Sequence, residues 1–348
     1  MKFSLVVTAY NKNDVGVTTN YAGSFAKLDA TTLGTGSNWF NTGCTVGTQC
    51  MGLAAVSGTT PLTSRLAIDT TSTNSTAPSN STTPGGATPG WSGGMSYFTL
   101  YSKFARLSAP DGPYGDGSTN ILKIGGKPLD SDGVTIPPRN LAPTLTDKLD
   151  CVNLDVTTGA EDTTCNPGPI ETNLRRKLFP TTVRFGRLQM QNMYGSERLP
   201  LAIPLQAQYW SNGYFINNAD DSYTPVSAPV ARVPTGTVPD GTANLYFYAV
   251  TAKNLLLPAD AVPTVRTMAG VVASNLSGGQ AKLQFPVPNN HPGWLDIILQ
   301  VPDYLRYNWG NCDGQTGTAG LMNDLPCARA FFGTYKSQSP LIYRRENY

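Results

Sequence analysis

The chain has 348 residues, a formal net charge of +2 and only 14% charged side chains, against roughly 25% in ordinary soluble proteins. Its basic residues are scattered, which excludes a nucleic-acid footprint, and no apolar run approaches the ~18 residues that would carry a helix across a bilayer. Thr, Ser, Asn and Gly replace the missing charge, giving the polar but nearly neutral surface expected of an extracellular β-protein.

In chain order, Phe3, Leu5, Val7 and Ala9 alternate, which is strand periodicity. The stretch is too short for the apolar region of a signal peptide, so an export signal is expected upstream, with Met1 a start placed within a longer chain. Asn11 to Asp14 give a turn, and Tyr21 to Leu28 offer a second short strand. Leu62, Leu66 and Ile68 alternate as another. The tract from Thr70 to Gly90 is almost entirely Thr, Ser, Asn, Pro and Gly, a composition that predicts a loop or linker without core residues. Its Asn74-Ser75-Thr76 and Asn80-Ser81-Thr82 triplets make a glycosylated loop the alternative. Met95 to Leu107 read as a long aromatic strand, 109–115 (APDGPYG) as a turn-rich loop and Ile121 to Ile124 as a short strand. Irregular chain from Pro137 to Pro169 places a lobe boundary near 178, giving lobes 1–178 and 179–348. The basic cluster Arg175-Arg176-Lys177 reads as a solvated loop.

Residues 183–218 carry the clearest pattern. Val183 and Phe185 share one parity and Leu188 and Met190 the other, which predicts a bulge near Gly186-Arg187. From Leu199 to Tyr209 every second residue is apolar, while Pro200 and Pro204 remove two backbone donors from one side. That side belongs at a sheet edge, at least over the first half of the strand. Asn212-Gly213 then suits a type I′ turn into the returning strand Tyr214-Phe215-Ile216.

Further on, Ala243 to Val250 predict an interior strand and Leu255 to Ala261 one helical turn. Ala281 to Val287 and Leu295 to Val301 predict a second hairpin, with closing strands at Ala328 to Tyr335 and Leu341 to Arg345. Many short strands with hardly any helical period predict an all-β chain, built as antiparallel Ig-like β-sandwich lobes with long loops.

Six cysteines fall in three polar loops: Cys44 with Cys50, Cys151 with Cys165, and Cys312 with Cys327. Nearest-neighbour bridges are the simplest reading, each stapling its own loop by roughly 3 kcal/mol for the longer two. Zinc is disfavoured, since no C-x-x-C occurs and His291 is the only histidine. Cystines imply an oxidising compartment.

For catalysis the residues offer little. His291 lies in a predicted turn without a G-x-S-x-G anywhere, no phosphate-cradling loop opens a helix, and Glu161, Glu171, Glu197 and Glu346 sit outside the aromatic strands. A non-enzymatic chain without a resident cofactor is expected. Asp130-Ser131-Asp132-Gly133, joined by Asp111 and Asp116, could gather oxygens for Ca²⁺, with solvated turn aspartates as the alternative. Trp39 and Trp91, in Gly/Ser/Asn loops, are candidate stacking surfaces for glycans, whereas Trp294 and Trp309 accompany apolar strands and belong in cores.

The runs RFGRLQMQNMYGSERLPLAIPLQAQYW and RAFFGTYKSQSPLIYRRENY, with VTAYNKNDVGVTTNYAGSFAKL, APDGPYGDG and KPLDSDGV, resemble the C-terminal region of the MSHA biogenesis protein MshQ family. Those are large exported bacterial proteins linked to a type IV pilus. The resemblance implies a cell-surface location and pilus or surface-protein partners in assembly or adhesion, and no catalytic mechanism. Tyr223 stands where the resemblance leads one to expect a cysteine. A carbohydrate-binding module and a structural spacer are the alternative roles.

Overall fold

In the computed structural model the chain divides into two units, Met1–Arg184 and Phe185–Tyr348. The structure describes residues 1–11, 16–34, 38–40, 45–70, 77–115, 121–135, 153–162, 173–224, 226, 231–232, 245–248, 272–285, 287, 293–307 and 324–333. Residue 178, where composition suggested a boundary, lies inside a strand of the first unit.

The first unit contains β1 (Lys2–Thr8), β2 (Ala54–Ser57), β3 (Thr60–Pro61), β4 (Leu66–Ile68), β5 (Ser79–Ser81), β6 (Met95–Phe104), β7 (Leu122–Gly126), β8 (Asn153–Asp155), β9 (Glu161–Asp162) and β10 (Leu174–Thr181). One sheet is built on β6, with β1 along one side and β4 and β5 on the other; the second runs β3-β2-β7-β10-β8-β9. All these pairings are antiparallel. The period-2 pattern explains the first sheet: Phe3 pairs with Leu100 and Leu5 with Phe98 in register, all four pointing inward. A single hydrophobic cluster joins these to Ala55, Leu122 and Ile124 of the other sheet. Burying each such large side chain stabilises the unit by on the order of 2 kcal/mol.

Two expectations fail here. Tyr21 to Leu28 form no strand; a 3-10 turn at Gly23–Phe25 leads into the short helix α1 (Ala30–Leu33). Asp29 caps it by accepting from Thr31 N at 2.7 Å, the usual N-terminal economy of orphan donors. The Thr70 to Gly90 tract also contributes to the core, because Ser79–Ser81 pair with β6. Asn80 is only 5% exposed. Its Oδ1 accepts from Ala30 N at 3.0 Å and its Nδ2 donates to Ser96 Oγ at 2.9 Å, so the second acceptor triplet is a buried polar joint in this fold. Asn74 lies outside the described residues.

The basic cluster is a strand as well. Arg175, 3% exposed, pairs with Leu154 in β10 and passes over Gly125, where any Cβ would come within 2.6 Å of its own. Its guanidinium donates to the carbonyls of Gly52 (2.9 Å) and Leu174 (3.0 Å), and burial pulls its pKa down. Backbone acceptors, which no charge count reveals, make the buried cation tolerable.

The second unit contains β11 (Gly186–Met190), β12 (Met193–Gly195), β13 (Leu201–Ser211), β14 (Tyr214–Asn217), β15 (Ala231–Arg232), β16 (Leu245–Tyr248), β17 (Val272–Ala273), β18 (Gln280–Phe285), β19 (Gly293–Leu299) and β20 (Cys327–Phe332). One sheet runs β11-β13-β18-β17 with β14 also on β13, and the other β12-β20-β19-β16-β15. Leu188, Ile203, Leu205, Leu283 and Phe285 of the first meet Ile297, Leu299, Ala330 and Phe332 of the second in one cluster.

The prolines act as the strand pattern required. Ala207 N donates to Gly279 O on the β18 side, whereas Trp210 N donates to Phe185 O on the β11 side. Even-numbered residues of β13 therefore aim their donors toward β11, whose register ends at Met190 opposite Leu205. Over Leu201 to Pro204 no described strand lies on that side, so the missing N–H groups of Pro200 and Pro204 leave no ladder bond unmade. The strand is interior along its second half, where β11 and β14 flank it. Asn212 (φ 51°) and Gly213 (φ 91°) make the turn with both central residues left-handed, as a type I′ hairpin demands.

No bulge interrupts β11, which pairs with β13 in continuous register from Gly186 to Met190. The parity change arises because Val183 pairs with Tyr114 in the first unit, while Phe185 is buried against Phe215 and Tyr307 on the Arg187 side of the second unit, opposite the core-facing Leu188 and Met190. The second predicted hairpin is also absent: β18 and β19 belong to different sheets and contribute to the cluster from opposite sides. Alternation alone cannot tell a strand pair that hydrogen-bonds from one that packs face to face. The predicted helical turn at Leu255 to Ala261 and the strand at Leu341 to Arg345 lie outside the described residues.

Candidate functional site

The two loop tryptophans are core residues, which corrects their reading as glycan platforms. Trp39 is fully buried, and Trp91 is 7% exposed. Each indole N–H finds a backbone acceptor, Gly34 O at 2.6 Å and Leu28 O at 2.7 Å. Trp91 packs edge-on to Tyr21 and Phe98, and Trp39 to Phe98. A flexible-looking loop around a tryptophan is here the lid of a core, since burying the indole outweighs the cost of ordering its neighbours. Trp309 and His291 lie outside the described residues, and Trp294 is placed as the register partner of Phe331.

The aspartates proposed for calcium are already engaged. Asp130 Oδ1 accepts from the backbone of Asp132 (3.0 Å) and Val134 (2.8 Å), closing its own turn, and Oδ2 accepts from the Tyr21 hydroxyl at 3.3 Å. Burial, reinforced by the Asp130 carboxylate, pushes that phenol up to about 12. Asp132 is exposed. Asp111 belongs to a different constellation: Arg65 binds it at 2.5 Å, and the Tyr114 hydroxyl donates to it at 2.9 Å. Arg65 also lies over the Phe104 ring at 4.3 Å. Asp116 falls outside the described residues, and among those described no group of three His, Cys, Asp or Glu could hold a metal ion.

Cys50 and Cys327 are the two described cysteines, and neither is a free thiol. Cys44, Cys151, Cys165 and Cys312 lie outside the described residues. Cys50 is buried and bridges to Leu129 through its backbone, beside the Asp130 turn.

The structure assembles two surface features of the second unit that sequence reasoning did not single out. On the outer face of β11, β13 and β14, the Arg187 guanidinium lies 3.6 Å from the Phe215 ring centroid and 5.2 Å from that of Tyr307. Arg187 Nε donates to Gln208 Oε1 at 2.8 Å, and Gln208 Nε2 donates to both Gln189 and Gln206. Burial lowers the arginine pKa. The signal was present in the odd-numbered polar residues of β11 facing the even-numbered glutamines of β13, yet their linkage depends on the register.

On the other sheet, Tyr194 stacks flat on Phe331, with centroids 4.2 Å apart and planes within 5°. The two are register partners in the parallel pair β12–β20, and Tyr194 remains 70% exposed. A parallel contact between strands more than a hundred residues apart has no local sequence signature.

Among known families, residues 184–347 match the model of DUF6701, fourth domain. This is the second unit almost to its limits. No curated protein and no solved structure matches the chain. Among the described residues no helix is long and apolar enough to cross a membrane.

Proposed function

We propose that the chain is an exported, non-catalytic surface module of a larger MshQ-like, pilus-associated protein, and that it works by contact in pilus assembly or adhesion. The six cysteines, grouped as three local pairs in polar loops, carry this reading, because cystines persist outside the reducing cytoplasm. The low charge and the strand-built units agree with it. The match to a fourth domain supports a place among several domains in one long chain. The MshQ link rests on the patches of sequence resemblance.

We infer further that each unit is an Ig-like β-sandwich with locally closed disulfides, a reading supported by one hydrophobic cluster drawing on two sheets in each. Three of the described carboxylates are engaged in holding the fold, which agrees with a role by contact: Asp111, Asp130 and Glu161 are held by Arg65, by backbone amides and by two lysines respectively.

Thiol alkylation of native, unreduced protein, followed by mass measurement, tests the compartment. No labelling is expected; labelling of all six cysteines would overturn export. Antibody binding to intact cells expressing the full-length parent protein tests the location directly.

A further inference from the structure

We propose that β1 is a docking edge for a second copy of this chain, the two β1 strands pairing antiparallel about a two-fold axis at Leu5. The inference goes beyond the surface-module reading and requires neither export nor pilus association.

Three observations carry it. First, the edge is open and regular. β1 ends its sheet and pairs with β6 in unbroken register from Lys2 to Thr8. Met1 O accepts from Ser102 N at 2.7 Å and Ala9 N donates to Gly94 O at 2.8 Å, so the odd-numbered residues turn their backbone groups to β6. Lys2, Ser4, Val6 and Thr8 turn theirs the other way, where no described strand lies. Second, the other sheet ends are short or blunted. Their strands have two to five residues, and Pro200 and Pro204 remove the donors from the open side of β13. β1 has seven residues without a proline, and a long unblunted edge is a template for another strand. Third, the pattern of β1 is self-complementary. With Leu5 opposite the partner's Leu5, Lys2 meets the partner's Thr8 and Ser4 the partner's Val6, so each outward N–H faces an outward C=O. On the inner face Phe3 meets the partner's Val7, apolar against apolar, in line with the buried Phe3 and Leu5 of the core. On the outer face Val6, 59% exposed, becomes the diagonal neighbour of the partner's Val6, and the strand's one charge, Lys2, falls opposite a threonine.

The chemistry of the edge selects a strand, because its free groups are main-chain donors and acceptors at the two-residue pitch of extended backbone. A foreign strand would have to bring the same inward apolar alternation and no cation opposite Lys2. A second copy brings both by identity, and the two-fold axis makes the contact isologous and closed.

Sedimentation of the full chain up to millimolar concentration is expected to show a monomer–dimer equilibrium. Amide exchange followed by NMR should show Ser4, Val6 and Thr8 gaining protection as concentration rises, while Phe3, Leu5 and Val7, already bonded to β6, are protected throughout. Val6→Pro deletes one outward donor at an edge position that tolerates proline and should weaken the dimer by about tenfold or more. Val6→Lys, an exposed substitution that sets like charges diagonally across the axis, should weaken it as well and serves where the proline variant does not fold. A chain that stays monomeric at millimolar concentration would overturn the proposal and leave the edge to a strand of another protein. So would a dimer that a folded Val6→Lys does not weaken, or one formed without the alternating protection, which would place the contact elsewhere on the surface.

Discussion

The Asn80 side chain donates to the Ser96 hydroxyl at 2.9 Å while accepting from Ala30 N at 3.0 Å. One buried amide thus ties the start of α1 to two strands of the same sheet. Asn80→Ala would leave the Ala30 donor without its acceptor in a place water does not reach. A loss of roughly 1–3 kcal/mol is expected, read as a lower denaturant midpoint for the first unit with an unchanged slope.

The Arg65–Asp111 pair should dominate the loop that follows β6. Removing the carboxylate leaves a guanidinium largely enclosed, and Asp111→Ala should cost roughly 2–3 kcal/mol, below the fully buried case because the side chains keep 10% and 20% exposure. Equilibrium unfolding in urea measures it. A loss under 0.5 kcal/mol, about the size of an exposed pair, would mean the pair is solvated.

Calcium should not stabilise the chain through Asp111 and Asp130. Their oxygens already accept from Arg65, Tyr114, Tyr21 and the turn amides, and a cation would have to displace those donors. Melting temperature with millimolar calcium and with chelator should agree. A rise with calcium that follows saturation would reveal a site.

What was legible in the sequence was whatever local alternation encodes. Leu201, Ile203 and Leu205 face the core as read, Asn212-Gly213 turns as read, and Pro200 and Pro204 sit on the open side of β13. What failed was tertiary. Nothing local marks Asn80 as a buried hub, or Trp39 as buried rather than presented. Arg175 reads as a solvated cation until the carbonyls of Gly52 and Leu174 are placed around it. Likewise β18 and β19 alternate as hairpin strands would, and only the sheet order separates them. The Tyr194–Phe331 stack depends on a parallel pairing that no turn joins.

Arg187 should hold the outer face of the second unit together. Its guanidinium both covers Phe215 and satisfies the Gln208 oxygen, so the planar group matters beyond its charge. Arg187→Ala should lose roughly 1–2 kcal/mol, combining the cation–π contact with the stranded amide. Arg187→Lys should recover less than half, because an ammonium cannot stack and donate from one plane. Recovery of the full stability by lysine would show that only charge is required.

Acid should loosen the first unit through Glu161. Lys123 binds its carboxylate at 2.5 Å and Lys177 at 3.1 Å, and these two lysines, Lys123 first, hold the glutamate below its ordinary value of 4.5. A carboxylate whose folded pKa is depressed contributes stability that is complete above the unfolded value. The contribution therefore fades as pH falls from about 4.5 through the lower folded value, when the proton displaces the lysines. Glu161→Gln should reduce stability at neutral pH and flatten the difference between variant and parent below that window. Urea midpoints taken from pH 7 to pH 3 would show the two curves converging on the acid side; curves that stay parallel throughout would mean the lysines do not hold the carboxylate in the folded chain.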